Sequence, residues 1–251
     1  MLRPRIIPCL LMHQGGLVKT KNFQNAKYVG DPINAVKIFN EKEVDELMLL
    51  DITAWKGSGP DFSLLEKISA ESRMPLCYGG GVRNAADASR IINLGFEKIS
   101  ISSAAVANPQ IVGEVAAVVG SQSVVVTLDV RRNTSSGSFQ IYIENGRRRI
   151  ECDLVQLCGD LVANGAGEIV VNSIDREGEM NGYDLALARL VSDHVSTPVT
   201  FLGGAGKPEH MAELIQAVGV VGAGAGSMFV FKGPFKAVLI SYSRPPFQQC
   251  V

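Results

Sequence analysis

The sequence predicts an α/β fold made of one (β/α)8 barrel, and three observations carry that expectation. Eight short apolar runs alternate with amphipathic segments, and a length of 251 residues with 46% hydrophobic content suits one barrel with a filled core. Glycine motifs also recur at a fixed offset between the two halves of the chain.

The apolar runs are Arg5–Leu11, Glu46–Asp51, Pro75–Tyr78, Lys98–Ser102, Val124–Asp129, Glu168–Ser173, Pro198–Leu202 and Val220–Ala223. They are near-continuously apolar, as strands buried on both faces of a parallel sheet must be. Between them lie segments such as Pro32–Lys42, Asn84–Leu94, Asp153–Asn164 and Pro208–Val218, each long enough for a crossover helix. One segment breaks the alternation. Ser138–Ile150 alternates apolar and polar residues around Asn145-Gly146, which predicts a small type I′ hairpin in the loop after strand five.

Gly80 in YGGGVRNAAD and Gly204 in LGGAGKPEHM are 124 residues apart, and the same offset carries Ser103 onto Ser227. Two half-barrels are therefore expected, about 1–120 and 121–251, within one domain spanning 1–251. Glu46 matches Glu168 at an offset of 122, so a small insertion separates the halves there.

Lys plus Arg total 24 against 25 for Asp plus Glu, so no broad basic field exists to hold nucleic acid, and an anionic ligand must be held locally. The five cysteines (Cys9, Cys77, Cys152, Cys158 and Cys250) are an odd number in a chain large enough to need no staples, which favours a reducing compartment. Cys152 and Cys158 lack metal-ligand spacing and only three histidines are present, so no metal or other cofactor is expected. Pro8 interrupts the first apolar run and no cleavage site follows it, so a cytoplasmic protein without a membrane partner is expected.

Each half presents a glycine cluster and then a small hydroxyl-bearing turn that opens a helix. Glycine allows close approach of the backbone to a ligand, and a helix N-terminus adds partial positive charge, so the pair suits phosphate. One pocket would use Gly80, Gly81, Ser102 and Ser103, and the other Gly178, Gly203, Gly204, Gly226 and Ser227. Taken singly, either cluster could merely make tight turns; their repetition favours phosphate binding. Asp129 closes strand five at the expected active-site end and could act as a general acid or base, or else cap a turn or pair with Arg131 or Arg132. Asp51 and Asp175 are read as ending strands two and six. Lys19, in the first loop, could meet a phosphate or close as part of a lid, though an exposed lysine is more often solvated; His13 reads as a surface residue. At the opposite end Arg5, Glu46, Lys98 and Glu168 would converge on the barrel axis, for which a salt-bridge ring is the simple structural account.

RIIPCL, NFQNAKYVGDP, DELMLLDITA, GGGVRN, SAAVANP, GAGEIVVNSIDREG, GYD and GGAGK, in this order across nearly the whole chain, resemble the cyclase subunit of imidazole glycerol phosphate synthase. The resemblance implies a glutaminase docked at the amino-terminal face, with Glu97 at the interface, and ammonia delivered along the axis. It makes Arg5, Glu46, Lys98 and Glu168 the gate, Lys19 and both glycine–serine pockets ligand-binding, and Asp129 a catalytic acid/base. Two positions depart from the family. Leu11 stands where the family has its first catalytic aspartate, and Leu202 where it has a small hydroxyl residue. PCLLMHQGGLVKTKNF resembles instead a paralogous branch found with bacterial surface-polysaccharide genes, which implies an additional sugar amidotransferase partner and conversion of an acetamido to an acetamidino group on a nucleotide-linked sugar. An authentic histidine-pathway cyclase and a non-catalytic scaffold that activates a glutaminase are the alternatives.

Overall fold

The computed structural model describes residues 3–57 and 59–242; Cys250 lies outside the described residues. The eight barrel strands are β1 (Arg5–His13), β2 (Leu47–Asp51), β3 (Leu76–Gly79), β4 (Lys98–Ile101), β5 (Val124–Arg132), β6 (Glu168–Ser173), β7 (Val199–Leu202) and β8 (Gly222–Ala225). All neighbours in this cycle pair in parallel, β8 with β1 through Arg5↔Gly222, and β5 with β6 from Glu168↔Val125 to Ser173↔Val130. The chain is a closed (β/α)8 barrel.

Helices α1 (Pro32–Glu41), α2 (Phe62–Glu71), α3 (Ala85–Asn93), α4 (Ser103–Ala107), α5 (Gln110–Val119), α6 (Leu154–Ala163), α7 (Leu185–Ser192), α8 (Pro208–Val218) and α9 (Ser227–Val230) lie between and after the strands. Local chemistry starts them. Asp31, Asp61, Asn84, Asp153 and Asp184 each accept a hydrogen bond from the backbone N–H three residues on, satisfying a donor that would otherwise lack an intrahelical partner. Among the described residues, no helix is long and apolar enough to cross a membrane.

Two packed layers follow from the alternation of side chains along a strand. On β1, Ile6, Leu10 and Met12 face the helices, while Ile7 and Cys9 face the barrel interior with Met48, Cys77, Val125, Val170 and Leu202. Arg5 and Leu11 share the inward parity of Ile7 and Cys9, so one strand carries a charge at the floor and a leucine at the mouth.

Four expectations are corrected. Strand eight is Gly222–Ala225 rather than Val220–Ala223: Gly219 closes α8 and Val220 is 55% exposed, so the apolar run belonged to the connection. Strand six ends at Ser173, and Asp175 lies in the following turn. The first loop is a hairpin, with Gly16–Lys21 pairing antiparallel both to the end of β1 and to Gln24–Gly30. The hairpin after β5 does form, with Phe139–Ile143 pairing to β5 and to Arg148–Ile150. Its connection is four residues, with Glu144, Asn145 and Gly146 all at positive φ, rather than the two-residue type I′ turn.

Candidate functional site

At the amino-terminal floor, strand parity points Arg5, Lys98 and Glu168 inward, joined by Glu46 from just before β2. Arg5 donates to Glu46 and Glu168, each at 2.6 Å, and Lys98 Nζ contacts the same two carboxylates at 2.8 and 2.9 Å. The four charges thus close an alternating ring. Burial alone would lower the Arg5 and Lys98 pKa values and raise that of Glu168, but the opposite charges overcompensate: both cations end above their ordinary values and Glu168 below its own. Thr200 Oγ1 donates to Glu168 at 2.6 Å and was not singled out from sequence, although register places Thr200 beside β6. Glu97, beside Lys98, is exposed.

Above the ring the interior is apolar, through Ile7, Cys9, Met48, Cys77, Val125 and Val170. Burial pushes the Cys9 thiol up to about 12, so this layer carries no charge near neutral pH.

The carboxyl-terminal mouth holds a cavity of about 540 Å³ lined by Gly80, Gly81, Ser102, Ser103, Asp51, Asp129, Asn172 and Leu11, with Arg83 and Arg148 at its walls. The structure brings together the whole first glycine–serine set. Gly80 has φ +133° and a Cβ there would lie 2.6 Å from the Asp51 carbonyl oxygen, so close backbone contact requires the glycine. Helix α4 is only five residues and α9 four, so anion binding would rest on individual N–H groups more than on an extended dipole. Ser103 Oγ accepts from the Glu144 N–H at 3.1 Å, tying this turn to the β5 hairpin.

Asp51 Oδ1 accepts from Thr53 N, Thr53 Oγ1 and Ala54 N at 2.8, 2.7 and 3.1 Å, so it caps its own turn while lining the cavity. Asp175 accepts from Arg132 N at 2.8 Å and pairs with Arg131 at 3.5 Å, bracing the hairpin outside the cavity. Asp129, in contrast, lies within it. Its burial raises the pKa from the ordinary 3.8 to about 7, against the lowering effect of the Asn172 hydrogen bond and with a further increase from Glu177.

The second set, Gly178, Gly203, Gly204, Gly226 and Ser227, also converges, together with Leu11, Leu202 and Glu177. Here the free space is only about 30 Å³, because Lys19 reaches in. Lys19 is 6% exposed, lies on Gly16–Lys21 and pairs with Glu177 at 3.4 Å; a Cβ on Gly226 would collide with its Nζ. It is therefore a buried cation on a strand rather than part of an open lid. Glu177 and Asn172 were missed in the sequence; the inward parity of β6, running from Glu168 through Val170, would have found Asn172.

A family model described as histidine biosynthesis protein matches residues 5–236. A relative from Leptospira borgpetersenii, named "Putative imidazole glycerol phosphate synthase subunit HisF", is 49% identical over 243 residues, covering 96% of each chain. Relatives bearing the same name with the suffixes hisF3, from Vibrio vulnificus, and hisF2, from Pseudomonas aeruginosa, are 51% identical over 246 residues and 45% identical over 243. The first covers 98% of this chain and 95% of its own, the second 96% of each. With the family model spanning the barrel and near-half identity along almost the entire length, the chain belongs to the histidine biosynthesis protein family, as a HisF-like synthase subunit.

Proposed function

We propose that this chain is the ammonia-receiving barrel of a glutamine amidotransferase. A glutaminase docks on the amino-terminal face beside Glu97, ammonia enters through the ring of Arg5, Glu46, Lys98 and Glu168, and a phosphorylated ligand occupies the opposite mouth. The ring carries this reading. Four charges gathered on the axis are costly to desolvate, and a barrel of this kind can be closed by apolar side chains instead. The neutral layer above the ring suits ammonia rather than ammonium, since a charged solute would lose its hydration without a counter-ion.

Leu11 and Leu202 point the chemistry away from ribonucleotide cyclisation. The mouth retains one carboxylate poised for proton transfer, Asp129, opposite an apolar wall. The acceptor that fits the surface-polysaccharide resemblance is the acetamido group of a nucleotide-linked sugar, converted to an acetamidino group with a sugar amidotransferase as third partner. Cyclisation is the second reading, and the retained Asp129 favours it.

Purified barrel, cognate glutaminase and glutamine test the assignment. Glutamine hydrolysis should accelerate on mixing, and the increase should vanish with Lys98→Met. Hydrolysis indifferent to the barrel would overturn it, and turnover of the ribonucleotide would replace the sugar reading with the cyclase.

A further inference from the structure

The floor ring is not symmetric. Glu168 is held through both of its oxygens, Oε1 by Arg5 and by Thr200 Oγ1, each at 2.6 Å, and Oε2 by Lys98 at 2.9 Å. Glu46 is held through one. Its Oε2 takes both cations, Arg5 at 2.6 Å and Lys98 at 2.8 Å, while Oε1 is buried without a hydrogen-bond partner among the described residues.

The asymmetry comes from a hydroxyl on β7. Thr200 is 1% exposed and sits beside Gly222 of β8, which in turn pairs with Arg5 of β1. Gly222 carries no side chain, so Arg5 and Thr200 meet across it, with Arg5 Nη2 donating to Thr200 Oγ1 at 3.5 Å. A valine would fill the same space in this buried strand, and a buried hydroxyl needs polar partners to offset its desolvation. Here those partners are Glu168 and Arg5.

We propose that Thr200 is a positioning residue that fastens Arg5 to Glu168, so that the ring opens on one side only, by withdrawal of Glu46. One rotation of the Glu46 carboxylate releases both of its contacts, whereas freeing Glu168 requires three donors on two oxygens to let go. The fastening rests on geometry alone; its meaning as control of a passage rests on the ammonia reading of the ring.

Two buried cysteines report on the two ends of the interior. Cys77 is the register partner of Lys98 and its thiol feels the charges of Glu46, Lys98 and Glu168, whereas Cys9 feels those of Lys19, Glu177 and Asp129 at the mouth. The full chain, without glutaminase, is treated with methyl methanethiosulfonate and the labelled peptides are quantified by mass spectrometry. Thr200→Val should speed labelling of Cys77 roughly tenfold, the factor that a hydrogen bond to a charged group commonly contributes, and leave Cys9 at the parental rate. Thr200→Ser, which keeps the hydroxyl, should return Cys77 to the parental rate. In double-mutant cycles read by urea midpoints, Thr200→Val should couple more strongly to Glu168→Gln than to Glu46→Gln. Unchanged Cys77 labelling, equal acceleration of Cys9, failure of serine to restore protection, or equally strong coupling to Glu46 would overturn the proposal. If Lys98→Met leaves the acceleration of glutamine hydrolysis intact while Thr200→Val still exposes Cys77, the fastening stands and the ammonia reading falls.

Discussion

Asn172 and Asp129 are register partners on β6 and β5, and Asn172 Nδ2 donates to Asp129 Oδ1 at 3.0 Å. One strand contact thus fixes the orientation of the carboxylate that burial in the mouth holds partly protonated at neutral pH. The hydrogen bond favours the ionised form, but burial prevails and the pKa stands at about 7.

A pH dependence of stability follows. The unfolded chain releases the Asp129 proton near 3.8 while the native state retains it to about 7. The native state therefore binds more protons in that window and loses stability as pH rises through it, by roughly 1.4 kcal/mol for each pH unit crossed. Asp129→Asn removes this penalty. Urea denaturation should find the variant more stable than the parent at pH 8, by a few kcal/mol at most, with the difference shrinking toward pH 4. A variant equally destabilised at both pH values would contradict the raised pKa.

The floor ring should behave as one unit. Lys98→Met leaves Glu46 and Glu168, 3% and 4% exposed, sharing a single cation, and should cost about 3–5 kcal/mol. Adding Glu46→Gln removes one uncompensated charge and should recover a substantial part. A double-mutant cycle read by urea midpoints checks this, and strict additivity would mean that the four groups are energetically independent.

The second glycine pocket should bind phosphate poorly until its carboxylate is removed. Glu177 both holds Lys19 and repels an anion, and the free volume of about 30 Å³ is too small for phosphate without movement of the lysine. Glu177→Gln should strengthen orthophosphate binding there by roughly tenfold, seen as density beside Gly204, Gly226 and Ser227 in phosphate-soaked crystals. Occupancy at the first pocket alone, in parent and variant alike, would show that the second pocket has lost its ligand role.

The barrel, the ring and the first pocket were legible because each rests on local pattern: continuous apolar strands, charges at strand starts, and glycines followed by a hydroxyl turn. What stayed hidden depends on tertiary geometry. Lys19 looks like a solvated loop lysine because HQGGLVKTKNF contains polar residues, yet antiparallel pairing with Gln24–Gly30 turns it inward onto Glu177. Asn172 and Thr200 gain their roles only through neighbours on adjacent strands. Strand eight was placed two residues early, at Val220–Ala223, because GAGA has no large apolar side chain to mark it; the collision a Cβ on Gly222 would make with Thr200 explains why a small residue is needed there.

The final expectation is that this chain does not cyclise the histidine-pathway ribonucleotide, and it rests on Leu11. Leu11 is 8% exposed and lines the same cavity as Asp129, so the leucine occupies the mouth rather than merely neighbouring it in sequence. A positioned acid or base contributes about 10²- to 10⁴-fold, so losing one of two carboxylates should raise the barrier by roughly 3 to 5 kcal/mol. His13 is no substitute: it ends β1 and lines a separate cavity between the two hairpins rather than the main cavity. Complementation gives the test, with the chain and its glutaminase expressed in a bacterium that lacks its own cyclase and grown without histidine. The parent should fail to support growth, and Leu11→Asp, with Leu202→Ser if needed to relieve the apolar wall, should restore it. The new carboxylate would also line the same cavity as Asp129 and push its pKa higher still, so rescued activity should favour a more alkaline medium. Growth of the parent without histidine would show that one carboxylate suffices and return the chain to the histidine pathway.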